Sequence, residues 1–447
     1  MHLKQASLLS KEGGAPQLLI ATSVNIIDII KKNVNTKEKK TLLENFVALS
    51  ALQGANYILP LITLPYLVRV LGPEKFGLVA FAQAFVGYFQ IITDYGFNLS
   101  ATREISINRE NKEKVSEIFS SVMVIKSFLF LLSLIIMSVV IFFFKKFRQD
   151  PSIYYITFGM VLGQTIFPAW FFQGMEKMKY ITFLNILAKL IFTVAIFVFV
   201  RESSDYLYVP LLNSLGFIIA GILALWILVK DFGVRFYIPK IVSVNHQLKE
   251  GWYIFISTVA ISFYTISNTF ILGLFTNNTI VGYYSAAEKL VRALQGLWGS
   301  VSQTLYPYFS KLFNQDQKKA KETLLRVLGL SSVITFLISF FACCLAPFFI
   351  PLVLGREYLS SVYVFQILVF VIFAVGINNI LGIQGLVSFG YGKQFSLVVI
   401  IAAIINLILN IVLISKFGIL GPAISTISTE FFICIIEYFI LKRLRIL

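Results

Sequence analysis

The sequence predicts an all-α, polytopic membrane protein of about 12 transmembrane helices, in two six-helix bundles related by a parallel repeat. Three observations predict it. Hydrophobic residues make up 57% of the chain and charged residues 13%, against roughly 45–50% and about 25% in globular domains. The apolar residues, 44 Phe among them, come in blocks of about 20 or more, the length a helix needs to cross about 30 Å of hydrocarbon. The third observation is that stretches of the first half align with stretches of the second.

The elements follow in order. Residues 1–44 do not read as a signal peptide. The apolar piece LLIATSVNII is short, no small-residue cleavage site follows it, and the basic run KKNVNTKEKK comes after. They are expected to form a cytoplasmic N-terminal tail, partly amphipathic. The first bundle, 45–229, holds spans at about 45–70, 76–97, 118–144, 152–173, 180–200 and 206–229. A cytoplasmic linker, 230–251, leads to the second bundle, 252–441. Its spans are expected at about 252–275, 280–308, 323–354, 360–388, 394–415 and 419–441, before a cytoplasmic C-terminus, 442–447.

Orientation follows from Lys and Arg in the connecting segments, which favour the inner side. With the N-terminus inside, the inner segments hold 25 of the 38 basic residues and the outer loops seven. Both termini are therefore expected in the cytoplasm.

The repeat rests on two alignments. LGPEKFGLVAFAQAFVGYFQ (71–90) matches FTNNTIVGYYSAAEKLVRALQ (275–295) at an offset of 205, placing Gly77 on Gly282 and Gln90 on Gln295. FFQGMEKMKY (171–180) and GIQGLVSFGYGKQ (382–394) share a Gln-Gly pair at an offset of 211. Six spans per half is an even number, so both halves enter from the same side. That geometry gives an axis along the membrane normal and a central cavity between bundles.

Several chemistries are excluded. The two histidines are His2 and His246, no His/Cys/Asp/Glu cluster has metal spacing, and no GxSxG occurs. GLVSFGYGKQ lacks the spacing and the Ser/Thr of a phosphate loop, so the chain is not expected to hydrolyse ATP or to need a cofactor. Cys343, Cys344 and Cys434 lie in apolar runs and read as packing thiols. The net charge of +16 is spread over short loops, with no basic domain to hold nucleic acid.

The charges inside the spans carry the functional reading, because each costs roughly 2.5–3.5 kcal/mol to insert. Arg69 and Arg326 lie near an interface and can snorkel. Lys126, Lys189, Lys289 and Arg292 are deeper, with only Glu288 and Glu430 at comparable depth. Glu288 and Arg292 are i,i+4 on one helix face and can neutralise each other, while Lys289 is rotated about 100° away. Two readings stand: a structural ion-pair network, or a cationic lumen wall that attracts an anionic group such as a diphosphate. The aligned positions in the first half are Gln83, Ala84 and Gly87, so the charge is asymmetric. Tyr283, Tyr284, Trp298, Tyr306 and Tyr308 could stack on sugars or form an interfacial belt. In TDYGFNLSATREIS, Asp94 could serve as a proton or cation site, or pair with Arg103 in a plain salt bridge.

LPLITLPYLVRVLGPEKFG (59–77) followed by DYGFNLSATREIS (94–106) closely resembles the O-antigen and polysaccharide flippases. These are the Wzx-type members of the multidrug/oligosaccharidyl-lipid/polysaccharide exporter superfamily. The specific match covers about 45–120, the Gln-Gly segment at 173–178 fits too, and the span layout extends it over nearly the whole chain. The resemblance implies a non-enzymatic transporter in the bacterial inner membrane. It would move undecaprenyl-diphosphate-linked oligosaccharide repeat units from the cytoplasmic to the periplasmic leaflet by alternating access. Lys126, Lys189, Lys289 and Arg292 would attract the headgroup, Glu288 and Glu430 would tune charge or couple to protons, and Asp94 with Arg103 would latch the cytoplasmic side. Expected partners are the lipid-linked oligosaccharide, membrane lipids, and the polymerase and chain-length proteins of the same pathway. The alternatives are a drug antiporter of the same superfamily, which would want a carboxylate-rich cavity, and a membrane polysaccharide polymerase, which would want a large outer loop.

Overall fold

The computed structural model describes residues 37–447, with nearly all side chains from Glu44 onward. Of the expected tail, residues 1–36 lie outside the described residues. The elements of the described chain are all helical, with no strand among these residues. Eight helical stretches are long and apolar enough to cross a membrane. Two of them, Val47–Ile107 (61 residues) and Gly392–Arg443 (52 residues), exceed the ~20 residues that one crossing needs.

Helix α1 spans Lys37–Asp94 and is broken at Gly72, where φ is +67°. Pro73 follows, which has no N–H for the helical ladder, so the sequence itself sets the break. Pro60 and Pro65 also lie within α1. Thr63 Oγ1 donates to the Pro60 carbonyl at 3.2 Å, the kind of side-chain bond that makes proline tolerable at membrane depth. Asp-Tyr-Gly then ends the helix, with Tyr95 at φ +49° and Gly96 at φ +77°.

Helix α2 (Phe97–Ile107) leads to α3 (Lys112–Phe143), whose first turn is capped by Asn111 accepting from the Lys114 N–H at 3.0 Å. Pro151 opens α4 (Pro151–Ile166), a position where its missing N–H has no consequence. Helices α5 (Met178–Phe199) and α6 (Tyr208–Phe232) complete the first half, and Gly233 at φ +64° closes α6.

The linker runs into α7 (Ile241–Phe275). Asn277 caps α8 (Asn278–Gln315) through the Ile280 N–H, and Asp316 caps α9 (Gln317–Leu354) through the Lys319 N–H, both at 3.0 Å. Helices α10 (Ser361–Leu368) and α11 (Phe370–Asn378) continue into a π-helical segment, Asn379–Val387. Helices α12 (Gly392–Phe417) and α13 (Gly421–Arg443) follow.

Large apolar side chains face outward, among them Phe128, Phe143, Phe183 and Phe348, each at least 65% exposed. A surface of that kind is stable only against lipid.

The two halves meet on α1 and α8, at two glycines. A Cβ on Gly77 would lie 1.8 Å from the Asn278 carbonyl oxygen, and a Cβ on Gly282 would lie 1.9 Å from that of Pro73. Pro73 and Asn278 stand 205 apart, as do Gly77 and Gly282, so the contact is reciprocal in the register of the sequence alignment. Two-fold-related surfaces meet in this way.

Other contacts between the halves gather at the same end. Lys146 Nζ donates to the carbonyls of Gly273 and, at 2.6 Å, Thr276, the last turn of α7. Arg69 reaches the Leu352 carbonyl. Phe81 stacks on Phe270 with ring centroids 5.6 Å apart, within an apolar cluster that takes in Phe76, Phe85, Tyr284 and Tyr358.

At the opposite end the linker and the start of α7 hold to the first half. Glu104 accepts from Gln247 Nε2 at 2.6 Å and lies 2.6 Å from His246 Nε2. Ser243 donates to Glu117, and Tyr95 stacks on Phe255 at 4.8 Å.

Candidate functional site

A cavity of about 420 Å³ lies between the halves. Its walls come from α1, α4, α5 and α6 on one side and α8 on the other, and include Asn56, Gln83, Asn213, Lys189, Lys289 and Arg292. Three of the four cations singled out from the sequence therefore share one space. Among the described residues no carboxylate lines it.

Each cation is held differently. Lys189 Nζ donates to Asn56 Oδ1 across α5 and α1. Arg292 bonds Glu288 Oε1 through Nη2 at 2.8 Å and Nε at 3.1 Å. This is the i,i+4 pair expected from spacing, and Thr269 Oγ1 donates to the other Glu288 oxygen at 3.0 Å. Lys289 has neither a hydrogen bond nor an ion pair among the described residues. Its Nζ stands 5.0 Å from the centre of the Phe76 ring, a cation–π contact that leaves its three N–H donors open. It is deep in the molecule and yet accessible, because it faces the cavity.

Lys126 is the exception, and its expected place in the lumen is corrected. It is 1% exposed and is absent from the cavity wall. Its Nζ donates to the Gln164 carbonyl at 3.1 Å. In a continuing helix that carbonyl would accept from residue 168, but Pro168 has no N–H. Lys126 fills the vacant position at the C-terminal end of α4.

A second cavity of about 120 Å³ adjoins the first through Arg292. Glu288, Glu430, Asn268, Tyr284 and Thr426 line it. Glu430 Oε2 accepts from Asn378 Nδ2 at 2.5 Å. Behind it Asn410 donates to Asn268 Oδ1 at 2.8 Å, and Asn406 donates to Ser425 and Thr429 at 3.2 Å each. The second half thus contains an amide and hydroxyl network.

The expected Asp94–Arg103 pair is not formed. Asp94 Oδ1 accepts from Asn98 Nδ2 at 2.8 Å, and Arg103 lies 4.0 Å from Glu250, with its side chain 75% exposed. The turn at Tyr95 and Gly96 points α2 away from the end of α1, so Arg103 meets the linker instead.

The charge pattern of the spans did not point to Asn56, Asn213 or Asn268, which line the two cavities. Uncharged polar residues in apolar blocks were the signal that could have found them. Among the described residues there is no group of three or more His, Cys, Asp or Glu that could hold a metal ion.

Comparison with known proteins agrees with this architecture. A family model described as polysaccharide biosynthesis protein matches residues 42–313. An Escherichia coli (strain K12) protein named "Putative O-antigen transporter" is 33% identical over 407 residues, 91% of this chain and 97% of that protein. The solved structure of lipid II flippase MurJ in an inward closed conformation superposes with a TM-score of 0.69 at 14% identity. That match covers 90% of this chain and 87% of the other. An inward-facing multidrug resistance MATE transporter of the MOP superfamily gives 0.59 at 13% identity, over 87% and 95% of the two chains. At these identities the two structures show a shared fold.

Proposed function

The chain belongs to the polysaccharide biosynthesis protein family, and from that premise we propose that it is a flippase for lipid-linked oligosaccharides. Its cargo would be an undecaprenyl-diphosphate-linked repeat unit, passed from the cytoplasmic to the periplasmic leaflet of a bacterial inner membrane. The observation that carries this reading is the cavity between the halves, walled by Lys189, Lys289 and Arg292 and, among the described residues, by no carboxylate. A diphosphate is what such a wall attracts, and a drug cation is what it repels.

The roles follow from how each cation is held. Lys289, with its donors open, makes the first contact with the phosphates. Arg292 is held in place by Glu288 and offers its remaining face. Lys189 binds through exchange of its Asn56 partner, and Glu288 and Glu430 tune the charge beside the cargo. Alternating access comes from two six-helix halves, twelve crossings in all with both termini cytoplasmic, parting at the glycine crossing of α1 and α8. Arg103 with Glu250, in place of Arg103 with Asp94, latches the cytoplasmic side. A polymerase and chain-length proteins would receive the delivered units.

The test is the sidedness of lipid-linked oligosaccharide in membrane vesicles with and without the protein. Accumulation on the cytoplasmic face in its absence, relieved by restoring it, is the expected result. Unaltered sidedness would overturn the reading.

A further inference from the structure

Glu437, on α13, takes no part in either cavity. It is 0% exposed, and among the described residues neither carboxyl oxygen has a hydrogen-bond partner. Its oxygen packs on bare backbone, since a Cβ on Gly382 would lie 2.4 Å from Oε1. The Phe395 ring flanks the same spot.

The surroundings offer no counter-charge. On its own helix Glu437 shares a face with Cys434 and Glu430, three and seven residues back, and Lys442 and Arg443 lie beyond it at the helix end. The segments packed against α13 are α7, α10, α11, Asn379–Val387, α12 and the turn Gly418–Leu420. Toward Glu437 the π-helical segment presents Gly382, and α11 presents Asn378 toward Glu430 and Cys434. Helix α12 brings Phe395; its cations Lys393 and Lys416 are exposed at its two ends. Among the described residues no ion pair reaches Glu437.

An ionised carboxylate buried without partners costs several kcal/mol even after relaxation. The neutral acid costs far less, and it needs one proton from water to form its O–H bond. The same face continues as a polar seam. Cys434 Sγ stands 2.6 Å from Asn378 Oδ1, and Asn378 Nδ2 donates to Glu430, which borders the smaller cavity beside Glu288 and Arg292.

We propose that Glu437 is a proton-binding site, and that its proton is taken up and released as the second half repacks during transport. This rests on the transporter reading for its role in the cycle, and stands apart from it for the binding itself. The missing side chain of Gly382, within the π-helical segment Asn379–Val387, leaves the room that the carboxyl group occupies.

Infrared difference spectroscopy on the purified full-length protein tests it, because a protonated carboxyl has a C=O band that shifts in heavy water. At about pH 7 the wild type is expected to show such a band that E437Q lacks and E430Q keeps. Glutamine reproduces the neutral shape, so E437Q is expected to fold. A spectrum unchanged by E437Q would overturn the proposal whatever the protein carries. In vesicles, lipid-linked oligosaccharide movement should respond to an imposed pH gradient in the wild type and lose that response in E437Q. A retained response would overturn the role in the cycle and leave the flippase reading standing.

Discussion

The α1 segment after Gly72 and the start of α8 cross at the same pair of positions and yet differ in chemistry. Pro73 and Gly77 meet Asn278 and Gly282 reciprocally, and beginning six residues beyond the glycines the two helices part company. The first carries Gln83, Ala84 and Gly87, and the second carries Glu288, Lys289 and Arg292 at the same register. The crossing is a matter of backbone approach, which both copies need, so both keep glycine. The charge stands on only one of the two helices, on one wall of one cavity. Aligned segments can therefore keep a backbone contact while only one of them carries charge.

The comparison can be broken at its geometric half first. Gly282→Val puts a side chain where the Pro73 carbonyl stands, with backbone as the obstacle. Overpacking of this kind costs about 1–3 kcal/mol or more, and folded protein recovered from membranes is expected to fall sharply, with transport falling alongside. Gly329→Val, at a glycine whose Cβ would meet nothing within 4 Å, is the control and should leave yield unchanged.

Next comes the chemical half. Lys289→Ala removes the open donors and leaves the crossing intact. Loss of a charged hydrogen bond of about 1.5–3 kcal/mol predicts transport reduced about tenfold or more at normal membrane insertion. Unchanged export at normal protein level would remove Lys289 from the site. A smaller effect sharpens the asymmetry: Gln83→Glu adds an anion to the cavity wall and should lower transport severalfold, whereas Gln83→Met should be nearly silent if only the sign of charge matters.

The smallest effect lies outside the spans. Arg109 donates to Glu176 at 2.7 Å, and this hydrogen bond holds the Glu176 carboxyl below the usual carboxylate range. The stability it contributes is present above the ordinary carboxylate pKa and is lost as pH falls through the lowered value. Arg109→Ala should cost under about 1 kcal/mol, because the pair is partly exposed. Thermal unfolding should show the gap between variant and wild type closing in acid.

Features set by short-range spacing were legible in the sequence. Blocks of apolar residues and the Glu288–Arg292 pair four residues apart depend on helix geometry alone. Features set by how a helix is rotated about its axis were not. Lys126 has the depth of a lumen residue and turns instead toward the end of α4. Arg103 has Asp94 nearby in sequence and finds Glu250 across 147 positions. Glu437 sits near a helix end, where hydration would be expected, and is sealed by Gly382 and Phe395. Each outcome depends on which distant segment packs alongside, and no local pattern encodes that.

At the glycine crossing, the hydrogen that stands in place of each missing Cβ points at a carbonyl oxygen of the other helix. Such Cα–H···O contacts are worth about 0.5–1 kcal/mol apiece. Around them stand the Lys146 bonds to the carbonyls of Gly273 and Thr276 and the Phe81–Phe270 stack. The crossing is thus a backbone seal that is weak in itself, and any parting of the halves there would draw its cost from the side chains at its rim.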